Sequence, residues 1–495
     1  MVQSGPSQAI ASRARPGCAG RQVSSGGATV ETVKLGFVPA HRVPFDEQWA
    51  RDMRRRCLSV MQQQPGIEWV VPDEGLTEGG IVRNDEDAEK VTKLFRDQGV
   101  QGIVIGAMTF GDEVSAVAVA QSLSGLPVLL FGTKEGDFLP DGGRRSDSFC
   151  GTLSIASGLY RRRIPFVFAG ILFPEEPLFA QEINRFAGTC NTIKNFMGAK
   201  IGLIGPRPER FETCACDEVA MIQNFGQRLI PVSLPEVFVP ARRLSDDDPD
   251  VQAIVADIKA RADTSEVSNT TLARLSKLEK VLMDLAKSKG IRAMGLQCWN
   301  TIQMDYGVTP CLAMGRLTER GIMTACEVDI YGALTMLAQY EAARRVTVPH
   351  FIDWTIQHQQ LENVFFAWHC GNAPMCLAAP GCRPQVRIQS ILGKLFEGDA
   401  GQGAGEFELA PGPVTLSRLQ EYDNRFKMLI TKGEIIPDDR HLRGSWSWVK
   451  VENLDRLYRT LVQEGFVHHA SMIPGDYSDV LAQFCQFAGI EVVLV

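Results

Sequence analysis

From Val33 onward, apolar positions follow two alternating rhythms. "VKLGFVPA" at 33–40 is a short continuous apolar run, which predicts a buried strand. The next segment, "FDEQWARDMRRRCLSVMQQQ", sets Phe45, Trp49, Met53, Cys57 and Met61 on one stripe at helical spacing. The alternation continues with "EWVVPD" as a strand, "DEDAEKVTKLFRDQG" as a helix closed by Gly99, and "VQGIVIGAM" as a strand. "EVSAVAVAQSLSG" then reads as a helix and "PVLLFGT" as a strand. Strands separated by helices of this length predict a parallel sheet with crossover helices, and place ligands beyond the C-terminal strand ends.

A second unit of the same kind opens after a helix over 177–198. "AKIGLIGPRP" is a strand, "DEVAMIQNFGQRL" a helix, and the charged "ARRLSDDDPDVQ" a surface loop. "RLSKLEKVLMDLAKSKG" has amphipathic period, with Leu275, Leu278, Val281, Leu282 and Leu285 on its core face and Gly290 as its stop. "IRAMGLQCW" follows as a buried strand. Beyond about residue 346 the runs turn strand-like and are punctuated by Gly and Pro: "VTVPHFIDWTI", "NVFFAWHC", "PVTLSRL", "FKMLITKGEII", "WSWVKV". They predict an antiparallel sheet or barrel, closed by a helix "DVLAQFCQFAG" and a strand "IEVVLV". The fold class is therefore α/β: two parallel-sheet domains over 33–175 and 176–345, then a mainly antiparallel, barrel-like domain over 346–495. Residues 1–32, rich in Gly and Ser in a stretch with three arginines, read as a disordered tail.

Composition narrows the functions. The 495 residues are 45% hydrophobic and carry a formal charge of −7, without the basic stripe of a nucleic-acid binder. No apolar run approaches the ~18 residues a membrane crossing needs. The 13 cysteines lack a regular frame, and "CAC" at Cys214–Cys216 lacks zinc-knuckle spacing. They read as free thiols in a reducing cytoplasm. Nucleotide motifs are missing: no G-x-G-x-x-G joins a strand to a helix, no phosphate loop occurs, and no G-x-S-x-G elbow appears.

What remains is a carboxylate where none belongs. In "GIMTACEVDIYGALT", Glu327 sits in a run that is otherwise apolar or small. Burying an unpaired carboxylate costs several kcal/mol, roughly, so it needs a partner or a metal. Asp353 in "HFIDWT", His369 in "AWHCGNAP" and the His468–His469 pair in "GFVHHASM" recur in similar settings. Carboxylates with imidazoles and no paired thiolates suit Mn²⁺, Mg²⁺, Fe²⁺ or Co²⁺ more than structural zinc.

Taken together, "CLAMGRLTERGIMTACEVDIYGALTMLA", "FIDWT", "WHCGNAP", "HHASMIPGDYSDVLAQFCQFAGIEV" and "GAMTFGDE" at 106–113 resemble the L-fucose/L-arabinose isomerase family of sugar ketol-isomerases. The resemblance runs from about Val33 to Val495. It implies two Rossmann-like domains and a barrel-like C-terminal domain, in agreement with the pattern above. It also implies Glu327 and Asp353 as metal ligands and catalytic carboxylates, His469 rather than His468 as a ligand, and His369, the extra histidine of the arabinose type, as a further metal-binding residue. An Asp at 353 is the fucose-type residue, so the chain mixes both types and leaves the sugar open. The implied reaction moves a proton between C1 and C2 while Mn²⁺, or another divalent cation, offsets the developing enediolate charge. Arg42, Gln297, Trp299 and Asn372 are the expected substrate-binding residues. A homo-oligomer, trimer or hexamer, with sites shared between subunits, is implied as well, acting on a small sugar in the cytoplasm without nucleic acid or membrane. A non-catalytic sugar receptor and another metal-assisted sugar reaction are the competing readings.

Overall fold

A computed structural model describes residues 30–438 and 440–495. The expected tail lies almost wholly outside these residues. The first sheet is built from β1 (Val33–Ala40), β2 (Ile67–Val70), β3 (Gly102–Ala107), β4 (Val128–Thr133) and β5 (Val167–Leu172), all parallel in the order β2-β1-β3-β4-β5. Its strands are apolar on both sides because helices cover both faces, each with its own buried cluster. The second sheet uses β6 (Lys200–Ile204), β7 (Arg228–Val232), β8 (Ile291–Leu296) and β9 (Met323–Cys326), again parallel, in the order β7-β6-β8-β9.

The third sheet contains β10 (His350–Gln357), β11 (Val364–His369), β12 (Gln385–Ile388), β13 (Gln402–Glu408), β14 (Gly412–Tyr422), β15 (Arg425–Ile436), β16 (Ser445–Val451), β17 (His469–Pro474) and β18 (Glu491–Leu494). Its order is β12-β13-β16-β11-β10-β17-β14-β15-β18, mainly antiparallel. β15 also pairs with β16, so β16-β11-β10-β17-β14-β15 closes on itself as a ring. This is the barrel that the strand-like runs after 346 predict. One large core joins the second sheet to this ring. The helix Ile330–Ala342, buried nearly all round, runs between them.

Two stretches depart from the sequence reading. The helix read over "DEVAMIQNFGQRL" stops at Phe225, because Gly226 takes the left-handed conformation and the following residues enter β7. The expected surface loop at 241–252 is mostly helix: Leu234–Arg243 runs into it, and Pro249–Arg261 starts within it. Asp248 caps the latter by accepting from the amides of Asp250 and Val251, with Pro249 at the first helical position. Among the described residues, no helix is long and apolar enough to cross a membrane.

Candidate active site

The second sheet and the ring meet where β9 ends. Glu327 follows β9 directly, and both Glu327 and Val328 have positive φ, 58° and 59°. Two consecutive non-glycine residues in this region are strained by about 1–3 kcal/mol each, a cost that persists only where surrounding structure enforces it. Gly295 on β8 makes the turn fit, because a Cβ there would stand 2.7 Å from the Val328 carbonyl carbon. Asp329 then caps the helix Ile330–Ala342 by accepting from Gly332 N–H at 2.8 Å.

The strand β10 lies between β11 and β17, with Asp353 directly opposite both His469 and Trp368. His469 Nε2 is 2.8 Å from Glu327 Oε2 and 3.6 Å from Asp353 Oδ1, and His369 Nε2 is 3.9 Å from Asp353 Oδ1. Among the described residues, these four buried atoms have no polar partner outside their own set. A fold leaves so many polar atoms unsatisfied in one spot only where something else satisfies them. Carboxylate oxygens and imidazole nitrogens are the donor chemistry of a divalent cation, so the residues fit one.

Surrounding groups fix their orientation. His469 Nδ1 is 2.8 Å from Asp329 Oδ2, and Asp329 is in turn gripped by the buried Arg418 guanidinium. This directs the ring hydrogen to Nδ1 and leaves Nε2 a lone pair, the carboxylate–histidine–metal arrangement. Trp299 Nε1–H donates to Glu327 Oε1 at 3.1 Å, leaving Oε2 for the site. His369 is held differently. Its Nδ1 accepts the Cys370 backbone N–H at 2.9 Å, so the neutral ring carries its hydrogen on Nε2, facing Asp353.

Burial pushes the Asp353 carboxyl up, only partly offset by His369 and His469, to about 6. Burial also raises Glu327, but the His469 hydrogen bond and charge bring it below its ordinary value. Burial lowers both histidines, yet the partners around them win: His369 is held up to about 9 by Cys370, Asp353 and Glu327, and His469 well above its ordinary value by Asp329, the Cys214 hydrogen bond and Glu327. The protein thus gathers negative charge here that only protons or a cation can neutralise.

Above these groups opens a cavity of about 310 Å³. Glu327, Asp353, His369 and Trp299 line it, with Phe211 and Trp368 as aromatic walls and Gln303 and Gln389 as polar ones. His468 lines the rim, its ring tilted against that of His469 with centroids 4.0 Å apart, while His469 is fully buried. Of the expected substrate residues only Trp299 reaches this wall. Gln297 points instead toward Gly205, Asn372 sits behind with Nδ2 at 3.6 Å from Cys326 Sγ, and Arg42 is at the end of β1, paired with Glu113 and Asp112 and stacked on Phe110. Asp329 and Arg418 were not singled out as site residues. Arg418, a charge at an inward position among Leu416 and Leu419, is the signal that could have found that pair.

Comparison with known proteins bears on this geometry. Residues 36–197 match the model of the fucose/sulfoquinovose isomerase N-terminal domain, and residues 367–495 that of the L-fucose isomerase C-terminal domain. The chain belongs to the fucose isomerase-like family. Within it, the chain is similar to a protein named sulfoquinovose isomerase from Priestia aryabhattai, 24% identical over 464 residues, which span 92% of this chain and 97% of the relative. Proteins of the same name from Alkalicoccus urumqiensis and Clostridium sp. (strain MSTE9) are each 25% identical over 79% of this chain and 85% of their own length. The fucose isomerase-like C-terminal match includes His369 and His469, whereas Glu327 and Asp353 fall between the two matched stretches.

Proposed function

We propose that this member of the family is a divalent-metal-dependent aldose–ketose isomerase acting on a sulfonated hexose of the sulfoquinovose kind. The observation that carries the reading is the convergence of four buried carboxylate and imidazole atoms, with no polar partner outside their own set among the described residues, on the floor of a sugar-sized cavity. The relatives' name supplies the sugar. Mn²⁺ held by Glu327, Asp353 and His469 would supply Lewis-acid stabilisation of the charge that develops as a proton leaves the carbon beside a carbonyl. The chain's own groups do the rest. Trp299 holds Glu327 as a fixed anion. Asp353, which no protein donor holds at Oδ1, carries the proton between C1 and C2. His369, its Nδ1 occupied, turns Nε2–H to a sugar oxygen. Phe211, Trp299 and Trp368 cover the apolar face of the ring.

One feature of the sugar needs a partner from elsewhere. Among the described residues, no Lys or Arg lines the cavity, so a sulfonate would be met from beyond this wall. Arg42, at a C-terminal strand end, is assigned to a neighbouring subunit's sugar in a trimer or hexamer.

The test is product analysis of metal-stripped and Mn²⁺-restored protein on a panel of sulfoquinovose, fucose and both arabinoses. Ketose from sulfoquinovose only in the restored protein is expected. Full turnover without metal, or none on any panel sugar, would overturn the reading. Glu327→Gln should lose ~10²–10⁴-fold in turnover while keeping its circular dichroism, since Gln is nearly isosteric but neither ligates a hard cation well nor holds charge. Retention of more than about a tenth of the activity would contradict that role.

A further inference from the structure

Behind the cavity wall a second set of donors converges, chemically unlike the first. Four cysteines meet there from four elements: Cys298 just after β8, Cys311 opening the helix Cys311–Glu319, Cys326 ending β9 and Cys370 just after β11. Cys370 Sγ is 3.6 Å from Cys311 Sγ and 3.2 Å from His369 Nδ1, and Cys326 Sγ is 4.0 Å from the same nitrogen. The Cys326 thiol also touches those of Cys298 and Cys370. In a tetrahedral thiolate site with metal–sulfur bonds of ~2.3 Å, neighbouring donors stand roughly 3.5–4 Å apart. The spacing here is of that order. The donor atoms of Cys326, His369 and Cys370 all lie within 4.8 Å of one another, and Cys311 stands beside Cys370 as a fourth. No carboxylate belongs to the set, and sulfur donors select thiophilic ions over manganese or magnesium.

We propose that Cys326 and Cys370, with Nδ1 of His369, form a second cation site that takes a zinc-class ion, back to back with the carboxylate site across one imidazole, and that Cys311, beside Cys370, swings in as the fourth ligand. Filling it requires the thiols to release their protons to solvent and Nδ1 to exchange the Cys370 N–H for the metal. Cys311 and Cys370 line the cavity, so the ion enters by the route the sugar would use. Once there, it fixes the ring whose other nitrogen faces Asp353, and so couples occupancy of the thiol site to the carboxylate site.

The binding itself does not depend on any sugar being turned over, so it is tested separately from the isomerase reading. Metal-stripped, reduced full-length protein is titrated with Cd²⁺ while the thiolate-to-cadmium charge-transfer absorption is followed. A band saturating near about one equivalent per chain is expected. It should vanish in Cys326→Ser and in Cys370→Ser, and persist in Glu327→Gln. Absence of the band overturns the proposal. So does a band that survives in both serine variants, which would belong to other cysteines, or one lost in Glu327→Gln, which would place the ion among the carboxylates. Should a serine variant fail to fold, alkylation of the unmodified chain with iodoacetamide decides. Cd²⁺ protecting Cys370, the half-buried thiol of the set, supports the site, and labelling of Cys370 undiminished by Cd²⁺ overturns it.

Discussion

At the scale of single residues, the two histidines that face Asp353 are set up for opposite work. Asp329 gives His469 a lone pair at Nε2, while the Cys370 amide gives His369 a hydrogen there. Substitution separates them. Asp329→Asn should weaken Mn²⁺ binding by about 10–100-fold. It should also lower the melting temperature, because Arg418 is then left as an uncompensated buried charge at a cost of about 3–5 kcal/mol. His369→Ala should lower kcat/KM while leaving Mn²⁺ affinity within about twofold, having lost a donor to the sugar rather than a ligand. Calorimetric titration of the two variants checks both; equal loss of metal affinity would erase the distinction. Protons and metal also compete at this spot. Without a cation, Asp353 holds its proton up to about 6, and His469 holds its own well above the ordinary histidine value. Both raised groups must shed protons to ligate, so apparent Mn²⁺ affinity should rise with pH from about 5.5 to 7.5, by up to about tenfold per unit for each proton displaced. A flat profile would mean that these groups are not the ligands.

At the scale of elements, the site depends on a turn that its own sequence does not favour. Glu327 and Val328 sit at positive φ only because β8 and the capped helix Ile330–Ala342 hold both ends. Gly295→Ala would drive a methyl against the Val328 backbone, a neighbour that cannot rotate away as a side chain could. A destabilisation of about 1–3 kcal/mol is expected, with a larger proportional loss of turnover as Glu327 is displaced. Denaturant unfolding and steady-state assay of this variant test it, and an unchanged enzyme would show that the turn relaxes freely. This turn also marks how far the sequence could be read. Glu327 was legible because an acid in an apolar run is conspicuous, and β10, β11 and β17 were legible as strands. The strain was not, since nothing in "ACEVD" announces a left-handed pair. Nor was the cysteine cluster: Cys298, Cys311, Cys326 and Cys370 show no motif spacing, and only the packing of four separate elements brings them together. The stretch 241–252 is not the loop its charges suggest, because those charges cap and face two helices.

At the scale of the whole molecule, the first sheet is tied to the rest through the helix Pro177–Phe196. Asn191 donates to Glu341, and Thr189 donates to Gln483. Arg344 reaches back to the carbonyls of Glu31 and Pro65. These contacts hold Arg42 on the first sheet, where it is absent from the lining of its own chain's cavity. If it serves a neighbour, two dead variants should rescue one another. Arg42→Ala and Glu327→Gln, each inactive alone on the sulfonated sugar, should regain a measurable share of activity when unfolded and refolded together, because some mixed sites then hold both intact groups. No recovery would confine each site to one chain. The ring β16-β11-β10-β17-β14-β15 narrows how such neighbours could meet. A closed ring has no unpaired backbone edge, and β12 and β18 are the outermost strands of this sheet. Strand-to-strand annealing between copies is therefore unavailable to the strands that carry Asp353, His369 and His469. Copies that packed against this ring would meet it through side-chain surfaces, so such an assembly could come and go without any backbone hydrogen bond of the ring being broken.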